Sequence, residues 1–157
     1  MSSYTTRDEL LVALAAERAE LERVIAHYDE QSWRGKLRSD GWNAHDIAAH
    51  LADANYGLAL LVLGEVQPSM PLNEKGWMDV DELNSQRREK NTTLPMEKVF
   101  ARLVSSFGHA QRAIEATDDL SAPGPYGSVH TKGLWLNRIV FHTRMHRVDL
   151  EELLAQA

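Results

Sequence analysis

Two histidines near the end of the chain, His142 and His146 in FHTRMHRVDLEEL, are four residues apart. In a helix that spacing sets both imidazoles on one face, one turn from each other, where both reach a single divalent cation without bending the backbone. Two ligands rarely hold a metal tightly, so the reading requires a third, and His50 in GWNAHDIAAHLADAN is the candidate. Three neutral imidazoles suit Zn²⁺, Ni²⁺ or Fe²⁺ and leave at least one coordination position open, as catalytic rather than structural sites do. A metal in such a site deprotonates a water or a thiol, or polarises a carbonyl. The chain contains no cysteine, which excludes disulfides, thiolate ligands and a cysteine nucleophile of its own. Any thiol must therefore arrive on a small molecule.

The HxxxH spacing is weak evidence when it stands alone, because a histidine on an apolar helix face is more often a hydrogen-bonded core residue. Two features strengthen it here. All three histidines fall on inward stripes, where an imidazole without a partner is costly. Acids also stand nearby, Asp46 and Asp53 beside His50 and Asp149 beside His146, and a carboxylate on the second ring nitrogen orients a ligating imidazole. A core hydrogen-bond network among the same residues remains the alternative.

The elements that must carry these residues read as helices. Thr6 and Glu9 have capping-box spacing, and Leu10, Leu14, Leu21, Ile25 and Tyr28 follow at helical intervals, with His27 on the solvated side. The stretch from Asp29 to Gly41 is polar and closes in an Asp-Gly turn signal. Asn43 is a cap residue with Asp46 at the third helical position, and Trp42 and Ile47 have staple spacing. Ile47, His50, Leu51, Ala54, Gly57, Leu58 and Leu61 then keep one register, and Gly64 is the stop. Glu65 to Met78, with two prolines, is long enough to cross from one end of a bundle to the other. A short polar helix is expected from Asp79, with Glu82 at capping-box spacing, and another after Pro95 with the stripe Val99, Leu103, Phe107, Ala110, Ile114. Ser121 to Gly127 reads as loop, and Trp135, Ile139, His142, His146, Leu150 and Leu153 mark the inward side of the last helix. The pattern predicts helices over 7–28, 44–63, 79–90, 95–117 and 132–154 with no β-sheet. This is an all-α protein, a four-helix bundle with an extra short polar helix.

A length of 157 residues, 43% of them hydrophobic, fits one domain over 1–157 with a real core. The net charge of −6 argues against tracking a phosphate backbone or an anionic membrane surface, so neither nucleic acid nor membrane is expected as a partner. The apolar run Leu10 to Ala16 follows Arg7, Asp8 and Glu9 and has no small-residue cleavage site after it, which argues against a signal peptide. A cytoplasmic location is the expectation, in keeping with the absence of cysteine.

The order of these features carries a resemblance. Tryptophan, helix start and xxHL in Trp42 to Leu51, Asn84 on a later segment and HxxxH in the last helix together resemble the DinB-like (YfiT-like) superfamily. Its mycothiol-dependent maleylpyruvate isomerases and bacillithiol S-transferases are the best-known enzymes. The resemblance implies an up-down-down-up four-helix bundle, often a homodimer, with a divalent metal held by His50, His142 and His146. Beside that, Asn84 and Arg87 share one face of the polar helix and are candidate substrate contacts, although such a helix equally suits solvent or a second subunit. Trp77 and Met78 either shield the site or pack the crossover. Two functions follow as expectations. One is a metal-dependent enzyme that acts on a small electrophile by low-molecular-weight-thiol transfer, isomerisation or hydrolysis. The other is a metal-binding stress-response protein without turnover.

Overall fold

Side chains at the helix starts set where the long segments begin. Thr6 accepts a hydrogen bond from the Glu9 amide at 3.1 Å and opens α1 (Arg7–Ile25). Asn43 and Asp46 close a full capping box at the head of α3 (Ala44–Leu63), and Gly64 ends that helix in the left-handed region at φ 75°. Pro95 precedes α5 (Met96–Ala116), and Thr131 accepts from the Leu134 amide to open α6 (Lys132–Ala155). The computed structural model describes residues 3–156, and among these α2 (Glu30–Gly35) and α4 (Asp81–Asn91) complete six helices. No helix among the described residues is long and apolar enough to cross a membrane.

Contacts between helix ends establish the directions of the four long helices. The Tyr4 amide meets the Asn137 side chain at one end, and the Tyr28 hydroxyl donates to the Leu150 carbonyl at the other, so α1 and α6 run parallel. Arg7 bonds the Glu115 carbonyl, which sets α1 antiparallel to α5. Lys36 and Arg38, just ahead of α3, reach Leu154 and Asp149 near the end of α6, making those two antiparallel. Arg112 pairs with Glu65 beyond the C-terminal end of α3, so α3 and α5 point the same way. The order is up-down-down-up, as expected, and the parallel α3–α5 pair is what makes the long crossover necessary.

The predicted stripes form the core. Leu10, Leu14, Leu21 and Ile25 of α1, Ile47, Leu51 and Leu58 of α3, and Val99, Leu103, Phe107 and Ile114 of α5 are all buried. A buried acid of α1 joins them. Glu17 accepts from Arg144 at 2.6 Å and Arg147 at 2.8 Å, tying α1 to α6 in register. Burial pushes its carboxyl up, but the two guanidiniums outweigh that and hold it below the usual carboxylate range.

Four expectations need correction. The polar stretch after Asp29 holds α2, started by an Asp29–Ser32 capping box; it spans only six residues, too few for a periodicity to register, and buries Trp33 alone. The short polar helix begins at Asp81 rather than Asp79, whose amide instead bonds the Pro71 carbonyl, and its cap residue Val80 offers no side-chain hydrogen bond. The first helix stops at Ile25, with His27 and Tyr28 in tight turns beyond it. The stretch read as loop, and the absence of a sheet, give way to a hairpin of β1 (Pro123–Gly124) and β2 (Gly127–Thr131). Gly127 turns this hairpin at φ 70°, and Gly124 lies so close to Trp135 that a Cβ there would stand 2.7 Å from the indole. Such packing is a tertiary requirement that alternation of hydrophobic residues does not announce.

Leu103 lies in the centre of the core at 4% exposure. Leu103→Ala is expected to lower stability by about 2–5 kcal/mol in denaturant unfolding, through lost apolar burial and the cavity left behind. A loss below ~1 kcal/mol would contradict the assigned core.

Candidate metal centre

The antiparallel seam of α3 and α6 brings together the three histidines that the sequence singled out. His142 Nε2 lies 3.3 Å from His50 Nε2 and 3.1 Å from His146 Nε2, and one ligand atom from each of the three fits within 4.8 Å of the others. The second ring nitrogen of His146 is committed: Nδ1 donates to Asp149 Oδ2 at 3.0 Å. This leaves Nε2 as a lone pair facing its neighbours. Asp149 Oδ2 also accepts from Arg38 at 2.8 Å, and Arg38 holds Asp40 with its other edge. The His142 Nδ1 atom is buried without a hydrogen-bond partner. A hydrogen bond needs one donor for each acceptor, so a cluster of facing imidazole nitrogens is poorly satisfied by its own members. A Lewis acid at their common point accepts all the lone pairs at once. Spacings near 3 Å are those of nitrogens that share an ion at ~2.1 Å. The donor set fits a divalent metal, and the three histidines can hold one.

Two of the acids read as partners of His50 are engaged elsewhere. Asp46 caps α3 and pairs with Arg88 at 3.1 Å, while Asp53 accepts from the Asn91 side chain at 2.9 Å. An acid one turn from a histidine in sequence shares its face only roughly, and here both are turned toward α4. Trp42 stands edge-on to the His50 ring at 5.7 Å, between the guanidiniums of Arg38 and Arg88, and covers the triad on that side.

The other side opens onto a cavity of about 610 Å³. His50, Ala54 and Gly57 of α3, Arg138 and His142 of α6, and Asn84 and Arg87 of α4 all line it, with the crossover closing one wall through Met70 and Met78. Asn84 and Arg87 thus share one wall of the cavity. The hairpin props the crossover: Tyr126 donates to the Met70 carbonyl at 2.6 Å, and His130 Nε2 donates to the Lys75 carbonyl at 3.1 Å. Trp77 stacks on His130 and meets Trp135 edge-on, which places it in this packing. Arg38 and Arg138 escaped the sequence reading. Arg138 carried a signal, since it precedes His142 by four residues on the same face. Arg38 carried none, because its role arises from the loop folding back on α6.

Burial dominates the electrostatics of the triad. It holds His50 down to about 4 and His142 down to about 2, with the neighbouring imidazoles adding to the effect. His146 is also lowered by burial, although Asp149 opposes the shift. All three are therefore neutral near pH 7, the form that donates to a metal.

The family model described as the mycothiol maleylpyruvate isomerase N-terminal domain matches this chain over residues 14–151. The chain belongs to this DinB/YfiT-like helical family, which is metal-dependent. No curated protein and no solved structure matches it.

The depressed values fix a pH dependence for the metal-free protein. A histidine titrating near 6.5 when unfolded but near 4 when folded binds more protons in the unfolded state between those values, so stability falls as pH drops through that window. Each such histidine adds a slope of at most about 1.4 kcal/mol per pH unit. Urea unfolding between pH 7 and 4 is expected to show a shallower slope for His142→Gln than for wild type. Parallel slopes would mean that His142 titrates normally in the fold.

Proposed function

We propose that the protein is a divalent-metal enzyme that uses a low-molecular-weight thiol against a small electrophile, with His50, His142 and His146 as the metal ligands. The observation that carries this reading is the turning of the three Nε2 atoms toward one point at the floor of the cavity. The family description supplies the thiol class, a mycothiol-type sugar thiol, and the lack of cysteine means the protein contributes no thiol of its own. Zn²⁺, Ni²⁺ and Fe²⁺ all suit three imidazoles. When bound, such an ion supplies Lewis acidity, lowering the pKa of a water or thiol or polarising a carbonyl.

The chain's own groups prepare the site. Asp149 fixes His146 with its proton on Nδ1, and Arg38 holds Asp149 in place, so that neither ring nor carboxylate must reorganise. Burial keeps the imidazoles neutral, and Trp42 packs edge-on against the His50 ring on the outer side. Asn84 and Arg87 offer hydrogen-bond donors to a substrate from α4.

Two experiments test this. With Zn²⁺ or Ni²⁺ at ~100 times its dissociation constant, linkage stabilises the fold by about 2.7 kcal/mol. For a chain of this size the melting temperature should rise by roughly 5–10 °C, and His146→Ala should lose most of that rise. An unchanged shift in the variant would remove His146 from the ligand set.

Turnover is tested by offering metal-loaded protein mycothiol, bacillithiol and glutathione in turn with a generic electrophile. Conjugation above background is expected in wild type and absent in His142→Ala. The acid limb of the activity should lie below pH 6.5, since protonation of His50 is deferred toward 4. Tight metal binding with no turnover for any thiol would transfer the site to a non-catalytic metal-binding protein.

A further inference from the structure

A fourth histidine lies in the core, away from the triad. His45, in the first turn of α3, is 1% exposed, and both of its ring nitrogens are committed. Trp33 Nε1 stands 2.8 Å from Nδ1, and the Asn91 carbonyl stands 3.0 Å from Nε2. An indole N–H only donates and a carbonyl only accepts, so Nδ1 carries the lone pair and Nε2 the proton. The two partners therefore demand a neutral ring in one tautomer. They also belong to different elements, Trp33 to α2 and Asn91 to the end of α4. Trp33 is the side chain that α2 buries, packed edge-on by Tyr28 and Phe100, and His45 is the hydrogen-bond partner of its indole. Just past α2, Arg38 holds Asp149, which fixes His146. The charged groups set around His45 are Glu30 and Arg34 of α2 and Asp46 of α3, with Asp53 of α3 and Arg102 of α5 bonded to the Asn91 side chain. Burial lowers the pKa of His45 from 6.5, aided by Arg34 and opposed by the Asn91 carbonyl, Asp46 and Glu30, so the ring is neutral near pH 7.

We propose that His45 is an acid-sensitive latch: its neutral ring joins α2 to α3 and α4, and a second ring proton releases Trp33 and with it α2. That proton has only Nδ1 to go to. Two N–H groups then face each other across 2.8 Å, and the buried indole loses its acceptor. The bond to Asn91 survives, because Nε2 donates in both states. The break therefore falls between α2 and α3, while α4 stays docked. Arg34 still bonds the Thr92 and Leu94 carbonyls, so α2 loosens at Trp33 rather than leaving altogether. The slack passes along the chain to Arg38, and so to the carboxylate that orients His146. The sign of the pH dependence follows. With a folded value below 6.5, the unfolded chain takes the proton first, so the latch is complete above pH 6.5 and is lost as pH falls below it. This device concerns how the site is held and is independent of the reaction performed there.

The indole N–H of Trp33 gives a direct readout. Metal-free protein labelled with ¹⁵N-tryptophan is titrated by NMR from about pH 7.5 to 4.5, the Trp33 indole signal being assigned through Trp33→Phe. Hydrogen exchange over residues 30–38 and over α5 is followed by mass spectrometry in parallel, corrected for the intrinsic rate at each pH. In wild type the indole signal is expected to shift with one midpoint below 6.5. Protection over 30–38 should fall tenfold or more at the same midpoint, while α5 stays protected. His45→Gln keeps an acceptor and a donor but does not titrate, so both readouts should stay flat. His142→Gln should keep the wild-type transition, which separates the latch from the triad. Trp33→Phe removes the donor that conflicts with the second proton, so protection over 30–38 should no longer depend on pH. A wild-type indole signal that stays flat until α5 also opens, a transition that persists in His45→Gln, or one that vanishes in His142→Gln would each overturn the proposal. An indole shift without loss of protection over 30–38 would overturn it equally. Should His45→Gln fail to fold, Trp33→Phe decides, and a tenfold acid-induced loss of protection in that variant refutes the latch.

Discussion

Imidazole lone pairs facing one another inside a buried seam constrain how α3 and α6 can meet. The cluster exists only if His50 arrives at the height of the turn joining His142 to His146, and each neighbouring interaction serves that alignment. The Asn43–Asp46 capping box fixes the first residue of α3. Because each residue advances a helix by about 100°, a slip of one position would swing His50 out of the seam. Arg144 and Arg147 grip Glu17 on the far side of α6, and the Tyr28 hydroxyl holds the Leu150 carbonyl, so α6 cannot slide along α1 either. Arg38 closes the arrangement by clipping the loop ahead of α3 to Asp149.

The parts of this arrangement that were legible in the sequence are those carried by local spacing. Helical stripes over α3, α5 and α6 reported faces that bury apolar area, and His142 with His146 reported a shared face because i and i+4 do so in any helix. His50 was legible because it interrupts an apolar stripe. What stayed hidden depends on contacts between distant segments. Trp33 is the one apolar residue that α2 buries, and its purpose appears only when its indole donates to His45, which in turn donates to the Asn91 carbonyl. Asp46 and Asp53 misled for the complementary reason: sequence proximity to His50 does not by itself aim a side chain at it, and helix geometry turned both carboxylates to other partners.

The cavity divides in origin. One wall is the helical seam, with the histidines and the small residues Ala54 and Gly57; the other is built from the crossover and held by the hairpin through Tyr126 and His130. A bundle core tolerates little change in volume, whereas a connecting segment over the surface accommodates insertions and substitutions at modest cost. Ligand chemistry at the floor can therefore persist while the walls diverge, so membership of a family specifies the histidine seam more tightly than the substrate. Arg138 belongs to a core helix yet lines the cavity that the crossover closes, so it joins the two parts of the site.

Charge placement follows the same division. The chain as a whole is acidic, at −6, yet Asp149, the acid bonded to the triad, is itself neutralised by Arg38. A divalent ion held by neutral imidazoles would keep its full charge there, beside Arg138 and Arg87. Field lines in a partly closed cavity bounded by low-dielectric protein are screened far less than at the surface. With that ion in place the site would be electropositive inside an acidic protein, because the sign of the chain's net charge describes its encounter with large polyanions and not the local field at the end of a buried seam.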